Sequence, residues 1–591
     1  MATHRRLLIL NKIKAQTLQE LIIPTRKPRR FLGEDFDLSG WESLKGFYED
    51  LVSRELDSGK ALKDWFKDRD EMESFLSENM AWRYIKMTCD TKSEEAQKNY
   101  QYFVTEIQPQ LAVYDDRLNK KALESPFLSE LTDAGYNITL RGMKKAVEIF
   151  REANISISTE IQTKTTEYQA DTGAMTVTIN GEEMTLQKAG AFLTGTDRKK
   201  REEAWTKIGE RRSADREKLD LLFNELTALR HQVALNADFE NYRDYAFASL
   251  GRFDYTPKDC FDFHESVAEA IVPLLNTAAK ERKSKLKYDS YRPWDGKVDV
   301  SGRPGLKPFK NGEDLLDKTV VCLDKVDKTL GDYVRIMRRM GHFDVESRMG
   351  KAPGGYNYPL MEIGVPFIFM NATSTLRDVV TMVHEAGHAI HSFETRPLAL
   401  SSFKNTTAEV AEVASMAMEL ISMEHWDAYF ENEAELKRAK IEHLEDLISV
   451  LPWIATVDKF QHWIYENPQH TVAEREAEWL RVFEQFSNTV TDWSGLDKFK
   501  NSSWHRQLHI FELPFYYIEY GMAQLGAISV WRNYKQDPKK GLEAYLNGLR
   551  MGYTGTIGEI YEAMDIKFDF SKAYISELMA FVEEELFILK G

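Results

Sequence analysis

Along most of the chain, apolar side chains recur every three to four residues with charged residues between them, the spacing of amphipathic helices. Leu44, Phe47, Tyr48 and Leu51 form one such stripe and Trp82, Ile85 and Met87 another, so residues 41–170 read as a bundle of long helices. Near 175–186 the period changes to two. Met175, Val177 and Ile179 alternate with threonines, Asn180-Gly181 supplies the two positive-φ positions of a type I′ turn, and Met184 and Leu186 follow, which predicts a β-hairpin. Charge-rich helical sequence resumes from 196 to 248, and a Pro/Gly-rich stretch from Tyr291 to Gly312 breaks it as an irregular loop, at a lobe boundary or as a surface excursion. Further on, Val365 to Asn371 reads as a short strand after a flexible Gly354-Gly355-Tyr356 loop. The expected fold is mainly α with a small β element. Its expected parts are an extension over 1–30, an amino-terminal helical lobe over 31–195 and a carboxy-terminal lobe over 196–591.

The chain has 591 residues, enough for a large core, and 78 basic against 94 acidic side chains give a net charge of −16. That balance disfavours nucleic acid and anionic membranes as partners. No uninterrupted apolar run approaches the roughly 18 residues of a membrane span. Cys89, Cys260 and Cys322 are odd in number and far apart, which fits a reducing compartment and offers neither a disulfide framework nor a cysteine-type zinc site. The first thirty residues depart from the acidic balance, with eight basic side chains against Glu20 alone. They are expected to be a poorly ordered basic extension or an organelle-type presequence, with the cytoplasm as the default location.

Residues 375–393, TLRDVVTMVHEAGHAIHSF, contain His384-Glu385-Ala386-Gly387-His388. Histidines four apart lie on one face of a helix and can reach one tetrahedral Zn²⁺, while Glu385, about 100° round, borders the metal and suits a general base acting on water. Chance alone predicts at most roughly 0.05 such HExxH motifs in a chain of this composition, so a third ligand must be found. The metzincin pattern is excluded, because positions 391 and 394 are His391 and Glu394. A following helix, NTTAEVAEVASMAMELISMEH at 405–425, carries Glu409, Glu412 and Glu419 along one face among alanines and methionines, and Thr406 with Glu409 has the pattern of a capping box. Acids aligned in an apolar helix are costly unless paired, and Glu412, the middle one, is the best ligand candidate, with Glu409 or Glu419 left to orient His384 or His388. His391 is expected to pack or to act at one remove, since a catalytic zinc keeps a position open.

HEAGHAIH, the EVAEVAS segment at 409–415 and HIFELPFYYIEYGMAQLG at 509–526 together resemble the oligoendopeptidase F group of the thimet-oligopeptidase-like zinc metallopeptidases. Weaker similarity covers 236–247, 292–296 and 354–371, most of the carboxy-terminal two-thirds of the chain. The resemblance implies a two-lobed helical enzyme with a deep central channel that admits unfolded oligopeptides, one Zn²⁺ on His384, His388 and Glu412, and Glu385 as general base. It also implies that His509, Tyr517 and Tyr520 bind substrate and stabilise the tetrahedral intermediate, with Tyr516 as the alternative to Tyr517. Pro514 is expected in the first turn of a helix whose face carries Tyr517, Tyr520 and Gln524, with His509 on a loop upstream. The 365–371 strand is read either as an edge that pairs with substrate main chain or as an ordinary buried strand. A zinc exopeptidase and a non-catalytic peptide-binding scaffold are the rival readings, and Mn²⁺ or Co²⁺ the rival metals.

Overall fold

The computed structural model describes residues 21–591, so the first twenty residues of the basic extension lie outside the described region. The rest of that extension is held in place by ion pairs: Arg29 reaches Glu362 at 2.6 Å and Arg30 reaches Asp68 at 2.7 Å. As the periodicity predicts, helices dominate, and they form two lobes. One core gathers Leu44, Tyr48, Leu51 and Trp65 of the first two described helices, Trp41–Ser53 and Gly59–Cys89. A far larger core runs from Tyr168 to Leu586 and includes both helices of the histidine–glutamate region. Among the described residues, no helix is long and apolar enough to cross a membrane.

The hairpin forms where the alternation places it: Thr176–Ile179 pairs antiparallel with Glu182–Thr185, and Asn180 and Gly181 both have positive φ. The Pro/Gly-rich stretch is irregular but anchored. Asp295 within it is fully buried and bridges Arg201 at 2.9 Å and Arg198 at 2.7 Å, tying the loop to helix Arg198–Ala214. A buried carboxylate with two guanidinium partners has the neutralisation that burial requires.

The second sheet decides between the two readings of the 365–371 strand in favour of the ordinary buried one. Strand Phe367–Ala372 is central, flanked by Phe343–Glu346 in parallel and by Tyr356–Tyr358 antiparallel, so its backbone is already paired on both sides. The edges are Phe343–Glu346 and Tyr356–Tyr358, and the latter starts at the last residue of the expected Gly354-Gly355-Tyr356 loop, since three residues are too few to show alternation.

Helix Leu376–Thr395 opens with a capping box in which the Asp378 carboxylate accepts from the Thr375 backbone N–H at 2.8 Å. Helix Ala408–Met423 starts from Thr407 rather than Thr406, without a side-chain cap, so the expected Thr406–Glu409 box does not form. Glu409 is instead buried and accepts a hydrogen bond from the Tyr255 hydroxyl. The two helices touch backbone to backbone at Gly387, where an added Cβ would lie 2.6 Å from Ser415 Cα and 2.7 Å from Ala414 O. Neither atom can move without shifting the helix. Alanine would gain up to about 1 kcal/mol in helix propensity, yet overpacking costs roughly 1–3 kcal/mol. Gly387→Ala is therefore expected to lower stability, measured as a fall in the denaturation midpoint in urea.

Candidate metal centre and active site

The Leu376–Thr395 and Ala408–Met423 helices, packed at Gly387, bring His384, His388 and Glu412 together. Their ligand atoms all lie within 4.8 Å of one another, with Glu412 Oε2 at 3.4 Å from His384 Nε2 and 3.7 Å from His388 Nε2. One carboxylate and two imidazoles converging from two helices are a donor set that fits a single divalent cation, Zn²⁺ above the others.

The surrounding groups fix these three. Glu419 Oε1 lies 2.6 Å from His384 Nδ1, which orients the ring so that Nε2 faces Glu412, and the other Glu419 oxygen is 3.6 Å from His443. The His388 ring stands beside the Ala411 backbone. The Tyr516 hydroxyl donates to Glu412 Oε1 at 2.8 Å and the Ser415 hydroxyl to Oε2 at 3.2 Å. Of the two acids expected to orient the histidines, Glu419 does so and Glu409 does not. His391 lines the same cavity, with its Nε2 buried and unpaired, but stands outside the donor group.

Charge follows position. Burial disfavours protonation of His384, but Glu412 and Glu419 outweigh it and hold its pKa well above the usual histidine value. His388 lacks a comparable partner, and burial brings it down to about 4. Burial also opposes ionisation of Glu412, yet the adjoining histidines and the Tyr516 hydroxyl keep its pKa at about 2. Glu385 is the contrast: burial pushes its carboxyl up to about 7. Its side chain meets the same cavity, and Asn357 on the edge strand donates to its backbone carbonyl at 3.2 Å.

Opposite the donors stands the 508–520 segment. His509 lies on a short helix, Leu508–Glu512, rather than on a loop, and the longer helix begins only at Tyr517. Pro514 sits in the turn between them, where Phe515 has a φ of 69° and its N–H donates to Gln461. His509 accepts from Gln507 Nε2 through Nδ1 at 2.8 Å, and its Nε2 is 3.3 Å from the Tyr520 hydroxyl. Burial lowers His509 to about 4 and raises Tyr520 well above the usual phenol value, so the ring is neutral and the phenol keeps its proton. Tyr516 and Tyr520 line the cavity. Tyr517 does not; it packs against His509, with ring centroids 5.0 Å apart, and turns toward Trp453 and Gln507. Asn357 and Gln507 are additions that sequence reasoning misses, because each acts through an inter-element contact that leaves no local pattern.

The cavity, about 460 Å³, is lined by Tyr84 and Gln169 of the amino-terminal helices together with Glu385, Glu412 and His509. Models of known families complete the description: that of peptidase family M3 matches residues 191–580, and that of the peptidase M3 N-terminal domain matches 35–150. The chain belongs to peptidase family M3. An oligoendopeptidase F homolog of Borreliella burgdorferi is 24% identical over 558 residues, covering 91% of this chain and 89% of that protein. Oligopeptidase PepF of Bacillus subtilis is 23% identical over 321 residues, covering 54% and 47%. Among solved structures, PZ peptidase A with an inhibitor superposes with a TM-score of 0.89 at 24% identity, over 93% of this chain and 98% of that one. Oligoendopeptidase-F from Enterococcus faecium superposes at 0.61 with 16% identity, over 93% and 98%. This M3 peptidase thus has the two-lobed helical fold of those structures, with its histidine–glutamate centre in the cavity.

Proposed function

We propose that the chain is a zinc-dependent endopeptidase that hydrolyses internal bonds of short, unfolded oligopeptides, as the names of its relatives suggest. The observation that carries this reading is the meeting of His384, His388 and Glu412 beside the buried Glu385 carboxyl in one cavity. A cleft of that kind admits an extended chain and excludes a folded one.

His384, His388 and Glu412 would hold Zn²⁺, which when bound supplies Lewis acidity toward a water and toward the scissile carbonyl. Glu385 takes a proton from the attacking water at its carboxylate and passes it to the leaving amine nitrogen. A divalent cation beside it favours the ionised form from which it starts. His509 and Tyr520 face the donors and steady the charge that develops on the carbonyl oxygen, while Tyr517 acts from behind by packing on His509. Tyr516 holds Glu412. The Asn357 amide oxygen is buried without a partner on the edge strand, and it suits a substrate main-chain N–H. Main-chain pairing would give affinity without selecting side chains.

Tyr520→Phe removes one donor and little else, so kcat is expected to fall by about 10²–10³-fold, with zinc content and KM near those of the parent. Steady-state kinetics on one quenched-fluorescence peptide reads this directly. The reading as a whole is tested by mass spectrometry of products from a mixed peptide pool, with and without a zinc chelator. Internal cuts confined to shorter peptides and lost on chelation are expected. Trimming from either terminus would replace the endopeptidase with an exopeptidase.

A further inference from the structure

The turn that brings Tyr516 to Glu412 is held from two other elements. Phe515 has a φ of 69°, in the left-handed region that a bulky side chain seldom adopts, and Tyr516 beside it is back at right-handed dihedrals. This single inversion sits between the Leu508–Glu512 helix, which carries His509, and the Tyr517–Gln536 helix, which carries Tyr520. Both backbone groups of Phe515 are gripped. Its N–H donates to the side-chain oxygen of Gln461, on helix Glu433–Glu466, at 2.9 Å. Its carbonyl accepts from Arg252, just beyond helix Tyr242–Ser249, and the same guanidinium nitrogen lies 2.8 Å from Glu519 in the first turn of the Tyr517–Gln536 helix.

Neither grip belongs to the peptide cavity. Gln461 and Arg252 are both buried, and neither lines it. The arrangement is costly: Gln461 Nε2, Arg252 Nε and Nη1 and one Glu519 oxygen have no hydrogen-bond partner. The rings of Phe247 and Tyr255, at 4.5 and 5.3 Å, cover the guanidinium instead. Fold stability alone does not explain unpaired buried groups around a left-handed backbone at Phe515. Such strain persists only where the surroundings over-determine it, and it gathers at functional sites. What this turn places is specific. The Tyr516 hydroxyl donates to Glu412 Oε1 at 2.8 Å, which leaves Oε2 facing His384 and His388.

We propose that Arg252 and Gln461 are positioning residues of the metal centre. By holding Phe515 left-handed through its carbonyl and its N–H, they set the Tyr516 hydroxyl on Glu412 and so fix which carboxylate oxygen meets the histidines. This rests on the reading of Glu412 as a metal ligand. Released from the two grips, Phe515 relaxes to negative φ, the chain at Tyr516 turns away, and Glu412 loses the contact that orients it.

The test measures the zinc affinity of the full chain by competition with a zinc-responsive dye, with a urea denaturation curve on each preparation. Gln461→Met keeps length and burial but cannot accept from the Phe515 N–H, so zinc binding is expected to weaken by about 10-fold, the lower end of what supporting contacts around a metal contribute. Tyr516→Phe is expected to weaken it at least as much. In the Tyr516→Phe background the Gln461 substitution should then change little, because both act through one hydroxyl. Arg252→Met should act in the same direction; it also strips Glu519 of its partner, and if it fails to fold, the Gln461–Tyr516 cycle decides alone. Parent zinc affinity in Gln461→Met, with or without a lowered urea midpoint, overturns the inference, as does an equal loss with and without the Tyr516 hydroxyl. If Glu412→Ala also binds zinc as the parent does, the ligand assignment falls together with the inference; if Glu412→Ala binds weakly while Gln461→Met does not, the inference fails alone.

Discussion

Glu385→Gln is expected to lower kcat by about 10³-fold or more while zinc content stays unchanged. The amide keeps the size and the burial of the carboxyl but cannot take a proton from water. Three features support the proposed role of Glu385 as base: it is buried, it meets the cavity, and it lies next in sequence to His384 yet on a different side of the helix from the donors. The substitution also removes a buried ionisable group, so the folded protein should be no less stable than its parent. Kinetics, metal analysis and a denaturation curve on one preparation separate these expectations. A variant that kept most of its activity with zinc in place would remove Glu385 from the role of base.

Glu412→Ala is expected to weaken zinc binding by more than about 100-fold, beyond the effect of losing a supporting contact, and to abolish turnover at ordinary zinc concentrations. Glu412 is the only one of the three aligned acids whose oxygen reaches both His384 and His388. Its removal also strands the Tyr516 hydroxyl that now points at it, whereas the Ser415 hydroxyl keeps its bond to the Glu412 backbone carbonyl. Glu419→Gln is the control: it leaves the three donors intact and loosens only the orientation of His384, so a loss of about 10–100-fold in affinity is expected. Competition titrations against a zinc-responsive dye give both values. Equal losses in the two variants would mean that Glu419 is as much a ligand as Glu412.

Much of this was legible in the chain because it is local. The 3.6-residue period marks the helices, the two-residue period with Asn180-Gly181 marks the hairpin, and four-residue spacing puts His384 and His388 on one face. Backbone geometry alone enforces these relations, wherever the segment ends up. The resemblance carried by HEAGHAIH and its two downstream blocks extended the reading to the family, and the match over 191–580 agrees.

Other features depend on how elements meet, and no spacing encodes that. Glu409, Glu412 and Glu419 share one helical face and are equivalent by periodicity; the close approach at Gly387 puts Glu412 between the histidines, Glu419 behind His384 and Glu409 against Tyr255. Tyr516 and Tyr517 are neighbours in sequence, and the turn through Phe515 sends one into the cavity and the other behind His509. The 367–372 strand became central because a three-residue strand paired with its outer side. Arg252 and Phe515 lie 263 positions apart, and only the packing of their elements brings them together. The sequence by itself determined which residues share a face. The tertiary structure decided which faces share a site, since that depends on long-range packing between helices that local periodicity leaves unspecified.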